Sequence, residues 1–459
     1  MTAYKDRPDQ GVLTPGEPAT PDSPDTLDKA NIERLGRQRP DVLPIWFAEI
    51  AFVFTIVFSM MMSEYFISGF NVILLVVATT LEIPDSAPTW PTAVINLTTA
   101  CLLLPFARIA DRFGGRNVFL AGHVWLVIWS LISGFSRDPT MLIACRAMQG
   151  LDPGVFMPAD GLVGRCEIVP GLVLVVFAFT DGGHAPNGRS TPYIYVTLIV
   201  GGLLLRASVY IQGWASESPL LPVEVLKPKY MRRLSIALFC ADGVFGLLLF
   251  YASFYPLLTA AWFTPLAVGG MIIAITGGFL LHLLPNRLLM NVSQAGSLLS
   301  ILLFALIPSR DSSGKPSIDF LYWAYVVPIM ICGIIGIDIT FNITNVFITT
   351  SLPARLQSTV GGAINSLLYL GMAFWLGVGE SAVSTTVIQR AGKIVSLVQQ
   401  YRIGFWTGVG LAGVALVLVA TVRMGKGSAA LTADEKAELE RKLAKVPRNE
   451  APAQNGQRV

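Results

Sequence analysis

Twelve apolar runs follow one another between residues 47 and 423, and no other feature limits the possible fold of this chain so tightly. They lie near 47–80, 87–107, 117–136, 139–164, 168–180, 193–214, 234–255, 256–284, 288–308, 319–349, 359–383 and 404–423. A bilayer core about 30 Å thick is crossed by about 20 apolar helical residues, and water-filled loops cannot interrupt such a span. No alternation of period two is present that could build a barrel instead. The expected fold class is an all-α polytopic membrane protein of about twelve segments, eleven clear and one short.

The short segment is "IVPGLVLVVFAFT", 168–180. Its 13 residues reach only about 20 Å at roughly 1.5 Å per residue. Loop charge argues that it still crosses, thinned, tilted or re-entrant. With twelve crossings and a cytoplasmic N-terminus, the inside loops carry more Lys and Arg than the outside ones. Without the fifth crossing, "KPKYMRR" and the basic tail would fall outside, against the positive-inside tendency.

Composition agrees with a membrane protein: 53% of residues are hydrophobic and 14% charged, where a soluble domain carries about 25%. The formal net charge of +3 is spread over the loops, so no basic patch points to nucleic acid. Cys101, Cys145, Cys240 and Cys332 lie within apolar runs, which argues against a disulfide framework. The expected organisation is a disordered cytoplasmic tail over 1–45, a membrane domain over 46–424 and a cytoplasmic tail over 425–459. The last contains a short helix in "TADEKAELERKLAKV", with Thr432 and Glu435 as a capping box.

Enzyme signatures are missing from the sequence. There is no G-x4-G-K-[ST] phosphate loop, no H-E-x-x-H and no G-x-S-x-G, and His123, His184 and His282 are widely dispersed. No cofactor and no metal site are expected. "GVGLAG", Gly408 to Gly413, matches a dinucleotide fingerprint only in spacing, since no strand precedes it; close helix packing accounts better for its glycines.

Charge is concentrated in "ARIADRFGGRN", Ala107 to Asn117, between the second and third runs. It resembles the loop signature G-x-x-x-D-[RK]-x-G-[RK]-[RK] of the major facilitator superfamily. Asp111, Arg112, Gly114 and Arg116 match, while Ala107 stands for the leading glycine and Gly115 for a basic residue. The resemblance implies a gating latch that stabilises one of two alternating states. "RAMQG", Arg146 to Gly150, resembles the R-x-x-Q-G motif of proton-coupled members, whose arginine assists proton transfer. Independently of any family, an arginine inside a span costs about 2.5–3.5 kcal/mol and should face a partner or a polar interior.

From about Arg37 onward the chain is similar to the fungal fourteen-helix drug:proton antiporter branch, some members of which accompany secondary-metabolite genes. The resemblance implies two helical bundles about a central cavity. The function it implies is a secondary active transporter exporting a drug, toxin or secondary metabolite by proton antiport. The expected partners are a small molecule, protons and lipid, with no nucleic acid and a monomeric state. The plasma membrane is the expected location, with the vacuolar membrane as the alternative.

One departure is large. After Gly164 the chain passes through "RCEIVPG" into what resembles the family's seventh helix, and the antiporter motif G-x-x-x-G-P-x-x-G-G is missing. Two helices fewer leave the downstream topology unchanged. Their loss is expected to uncover polar faces in the N-terminal bundle and to weaken coupling, which keeps open a non-transporting remnant as well as a proton-coupled uptake carrier. Glu64, Arg146 and Asp338 are the proton-coupling candidates; Gln149, Asn342 and Asn345 are candidates for the substrate path. Asp338 and Asn342 share a helix face by their spacing of four.

Overall fold

In a computed structural model, the chain is described over residues 65–84, 89–113, 115–151, 168–182, 191–211, 230–253, 263–273, 284–307, 318–351, 354–389 and 397–422, together with isolated positions between 46 and 58 and at 185 and 276. Two units are distinguished, Met1–Phe58 and Ser59–Val459. In the first, the described positions are helical, with Phe54 stacked on Phe58 at 5.8 Å and the Thr55 hydroxyl donating to the Ala51 carbonyl at 2.7 Å. The expected tails over 1–45 and 425–459, with the helix beginning at Thr432, lie outside the described residues.

Among the described residues, the apolar stretches of the second unit are helical, because only intrahelical bonding satisfies the backbone away from water. A π-helical turn, Tyr65–Gly69, leads into α1, Phe70–Thr80. There follow α2 (Trp90–Phe113), α3 (Gly115–Gly134), α4 (Pro139–Gln149), α5 (Ile168–Asp181) and α6 (Pro192–Tyr210). The remainder are α7 (Met231–Ser253), α8 (Phe263–Ile273), α9 (Asn286–Ala305), α10 (Val327–Ser351), α11 (Ala354–Gln389) and α12 (Leu397–Ala420). Each expected apolar segment therefore contains helix, and no strand occurs among the described residues. The chain is an all-α polytopic membrane protein.

Among the described residues, six helical stretches are long and apolar enough to cross a bilayer by themselves, and five more are apolar but shorter. The fifth segment is short, as its sequence implies: α5 has 14 residues. It is held on both sides. Leu172 and Val176 join Leu97 and Cys101 of α2 and Ala373 of α11 in one apolar cluster, and the Tyr193 hydroxyl of α6 donates to Asp181 at 2.5 Å. The face of α2 thus covered is apolar. Far more exposed is α6, with tyrosines at 193, 195 and 210 marking its two ends. That is the distribution expected where rings settle at membrane interfaces.

At the centre stand α7 and α11. Most of α7 is buried, and α11, at 36 residues, packs along α2, α5, α7, α10 and α12. At roughly 1.5 Å per residue α11 is about 54 Å long, well beyond the apolar stretch that revealed it, because a helix does not end where hydropathy ends. The main core draws Leu74 from α1, Ala93 from α2, Leu247 and Phe250 from α7, Phe304 from α9 and Phe405 from α12.

The packing of "GVGLAG" is a partial correction. A side chain at Gly408 would meet Ile301 at 2.6 Å, so close packing explains that glycine. Gly410 and Gly413 face open space, with nothing within 4 Å.

Candidate functional site

The helix that carries Arg146 is fixed at its start. Asp138 caps α4, its Oδ1 accepting from the Met141 N–H at 2.8 Å, and Pro139 occupies the first turn where no N–H is needed. Two turns later Arg146 enters the interior with 2% of its surface exposed. Its Nη1 donates to the Phe66 carbonyl at 2.8 Å and to Gln149 Oε1 at 3.0 Å, and its Nε to the Pro91 carbonyl at 3.2 Å. The guanidinium lies over the Phe70 ring, 4.1 Å from its centroid.

This is a charge solvated by backbone dipoles and an aromatic face instead of water. The π turn before α1 and the first turn of α2 each supply one carbonyl, and the last turn of α4, the negative end of its dipole, carries the cation. Nη2 is buried and has no hydrogen-bond partner among the described residues.

The other two residues of R-x-x-Q-G have mechanical explanations. Gln149, 4% exposed, accepts from Arg146 and directs its amide toward the Trp129 carbonyl and Ser130 Oγ at 3.5 and 3.4 Å. Gly150 lets α4 close on α2: a Cβ there would lie 1.8 Å from Thr98 Oγ1 and 2.7 Å from the Ile95 carbonyl. Beside Arg146, the Thr92 hydroxyl donates to Asn71 at 2.8 Å, and the Asn96 amide donates to the Thr92 carbonyl at 3.1 Å. Sequence reasoning did not single out Asn71 or Asn96. Their signal was available, since each is a lone amide in an apolar run.

The latch segment proves more helical than expected. α2 runs to Phe113 and α3 begins at Gly115, so Asp111 and Arg112 sit in the last turn of one helix and Arg116 in the first turn of the next. What had been read as a loop from 107 to 117 is two helix ends around a single residue. Gly114, the contacts of these three charged side chains, and Glu64 lie outside the described residues.

The remaining candidates all sit on α10. Asp338 is half-buried, and a side chain at Gly270 of α8 would lie 4.0 Å from its Oδ2. Asn342 is also half-buried, and the Asn345 amide donates back to the Phe341 carbonyl at 3.1 Å. Arg146 and Gln149 are brought into direct contact; Asp338 faces a different helix. The polar seam of the second half lies elsewhere, between α9 and α10. There Ser293 bonds both Thr340 Oγ1 and the Gly336 carbonyl at 2.5 Å, and Gln294 donates to Thr340 Oγ1 at 2.8 Å. Among the described residues, no cluster of three or more His, Cys, Asp or Glu side chains could hold a metal.

Comparison with known proteins adds independent findings. Residues 53–160 match the Major Facilitator Superfamily. Efflux pump terJ of Aspergillus terreus is 23% identical over an alignment covering 84% of this chain and 89% of the relative. The aminotriazole resistance protein of Saccharomyces cerevisiae is 23% identical, covering 83% and 85% respectively. The low affinity ammonium transporter of the same yeast is 24% identical, covering 72% of this chain and 80% of its own length.

Proposed function

We propose that this chain, a non-enzymatic transporter of the major facilitator superfamily and of the fungal efflux type, exports a small organic molecule in exchange for protons. The carrying observation is Arg146, a full charge fixed inside an apolar bundle by two carbonyls, an amide and a ring. A fold that only needed to pack would place an apolar residue there and avoid the insertion cost of about 2.5–3.5 kcal/mol. Retaining a charge supports a role in moving protons or charged groups.

In this reading the R-x-x-Q-G helix supplies the coupling charge, and Glu64 and Asp338 are candidates to take up the proton. Gln149, Asn342 and Asn345 belong to the substrate path, and Asp111, Arg112, Gly114 and Arg116 form a latch that favours one of the alternating states. The protein acts as a monomer in the plasma membrane, with the vacuolar membrane as the alternative. The efflux pump, the ammonium transporter and the aminotriazole resistance protein to which it is similar favour small nitrogenous or drug-like molecules as cargo.

A second reading, a non-transporting remnant, is favoured by the missing antiporter motif. Expression in a yeast strain lacking its own aminotriazole resistance protein separates the two. Export lowers the cellular retention of labelled aminotriazole severalfold, and Arg146→Ala restores retention. Equal retention with and without the chain, at matched protein levels, supports the remnant.

A further inference from the structure

The helices α7 to α12 pack with two chemically different ends. One end is marked by an apolar cluster in which Leu234, near the start of α7, meets Leu289 and Met290, near the start of α9, together with Ile343 of α10 and Val419 of α12. The other is marked by a second cluster, where Phe250 and Tyr251 of α7 meet Phe304 of α9 and Phe405 of α12.

Three arginines rim the first end. Arg232 and Arg233 stand in the first turn of α7 and Arg287 in the first turn of α9, and all three are exposed. Neither first turn contains an acid, and among the described residues no side chain bonds or pairs with these guanidinium groups. Asp111, in the last turn of α2, has arginines of its own at 108 and 112. The second end is balanced. Asp319 lies two residues before Leu321 of the second cluster, and Glu380 follows Gly379, where a Cβ would lie 3.5 Å from the Tyr251 oxygen. Arg402, at the start of α12, already donates to the Ile307 carbonyl at 2.5 Å.

A helix start is the positive end of its dipole, so a cation in the first turn gains nothing from the backbone. Three of them at two such starts, without acids, leave the charge to be met by an anion from outside the chain. The surface next to them is apolar. Ile236, one turn after Arg232 on the same face, is 51% exposed, and Leu288 and Val292, beyond Arg287, are 48% and 49% exposed. A charged rim above outward-facing apolar side chains is the profile of a helix leaving a bilayer. α6, which ends on the side where α7 begins, repeats it. Arg206 is exposed between Leu203 and Val209, both also exposed, and stands four residues, about 6 Å, before Tyr210. A guanidinium on so uncovered a span has to reach the headgroup level for its counter-charge.

We propose that this end binds an anionic phospholipid. Arg232, Arg233 and Arg287 hold the headgroup oxygens, and the acyl chains lie along Ile236, Leu288 and Val292; Arg206 engages a lipid of the same leaflet. A soluble anion would meet the charge but leave the apolar surface beneath it uncovered. The positive-inside tendency assigns this end to the cytoplasmic leaflet, where anionic lipids are concentrated. The site is separate from Arg146 and does not depend on how transport is driven.

Phosphatidylserine, compared with phosphatidylcholine, is the probe. A fluorophore is attached at Ser235→Cys in a cysteine-free full-length chain in liposomes, and its quenching by brominated lipid of either headgroup gives the relative affinity at this end. The preference for phosphatidylserine should be about tenfold and weaken in high salt. Arg232→Gln, Arg233→Gln and Arg287→Gln together reduce it to about twofold or less, the three corresponding lysine substitutions keep most of it, and Arg137→Gln, before α4, leaves it unchanged. Each single glutamine substitution lowers it about two- to threefold, which carries the test should the triple variant fail to fold. The proposal is overturned by a parent without preference, or by an equal preference in the parent and in a triple glutamine variant with unchanged thermal unfolding. Displacement of the lipid by inorganic phosphate, beyond that by chloride at the same ionic strength, would make this a site for a soluble anion and overturn it as well.

Discussion

Two regions of the second unit bury large polar side chains by opposite means. Around Arg146, the helices α1, α2 and α4 leave backbone carbonyls and amides pointing inward, so the charge is held by a lining of dipoles. Around Tyr251 of α7 the neighbours are rings and glycines: a Cβ at Gly404 would lie 2.3 Å from its Cε2, and its ring packs 5.8 Å from that of Phe405. The difference teaches that a permanent cation needs fixed solvation, because a guanidinium stays charged and desolvating it is costly.

The contrast is broken most strongly by filling the packed side. Gly404→Val drives a side chain into Tyr251 and should destabilise the protein by about 3 kcal/mol, at the upper end of overpacking costs. Thermal unfolding in detergent reads this directly, and an unchanged midpoint would mean that the rings around Tyr251 are loosely packed. On the polar side, Arg146→Ala leaves the Phe66 and Pro91 carbonyls and Gln149 without their donor, at a cost of about 2 kcal/mol together with loss of gradient-driven transport. Arg146→Lys keeps the charge but cannot reproduce the planar fork, so transport should recover only in part. Full activity in the lysine variant would reduce the site to a simple point charge.

A smaller effect is expected at the helix ends of the latch. Asp111→Ala should change the balance of the two alternating states by about 1–3 kcal/mol. Accessibility of single cysteines placed on either side of the membrane, in a cysteine-free background, measures it. Unchanged labelling on both faces would make this segment a topological charge cluster. The smallest effect belongs to α12, where Gly410→Ala meets open space and should alter stability by less than about 1 kcal/mol. Its contrast with Gly404→Val on the same helix shows how sharply the packed side is confined.

Much of this arrangement was legible in the sequence. Among the described residues each apolar run contains helix, because only intrahelical bonding satisfies the backbone away from water, and Arg146 stood out because a charge within a span needs a reason. Helix ends were not legible. α11 continues well beyond its apolar stretch, and the charged segment at 107–117 is helical on both sides, since amphipathic turns leave the membrane without a change in backbone geometry.

The surroundings of Tyr251 were not legible either, because Gly404, where a Cβ would meet its ring, lies 153 positions later. Only packing brings them together. Likewise, no local pattern distinguishes Gly408, pressed against Ile301, from Gly410 and Gly413, because the face of a helix that meets a neighbour is a tertiary property.

Proton exchange is the central claim, and proteoliposomes test it most directly. The unmodified 459-residue chain is reconstituted, a pH gradient is imposed, and labelled aminotriazole is followed with and without a protonophore. The account predicts accumulation on the acidic side that collapses when the protonophore is added and is lost in Arg146→Ala. Accumulation equal to that of protein-free vesicles, or accumulation indifferent to the gradient, would contradict it.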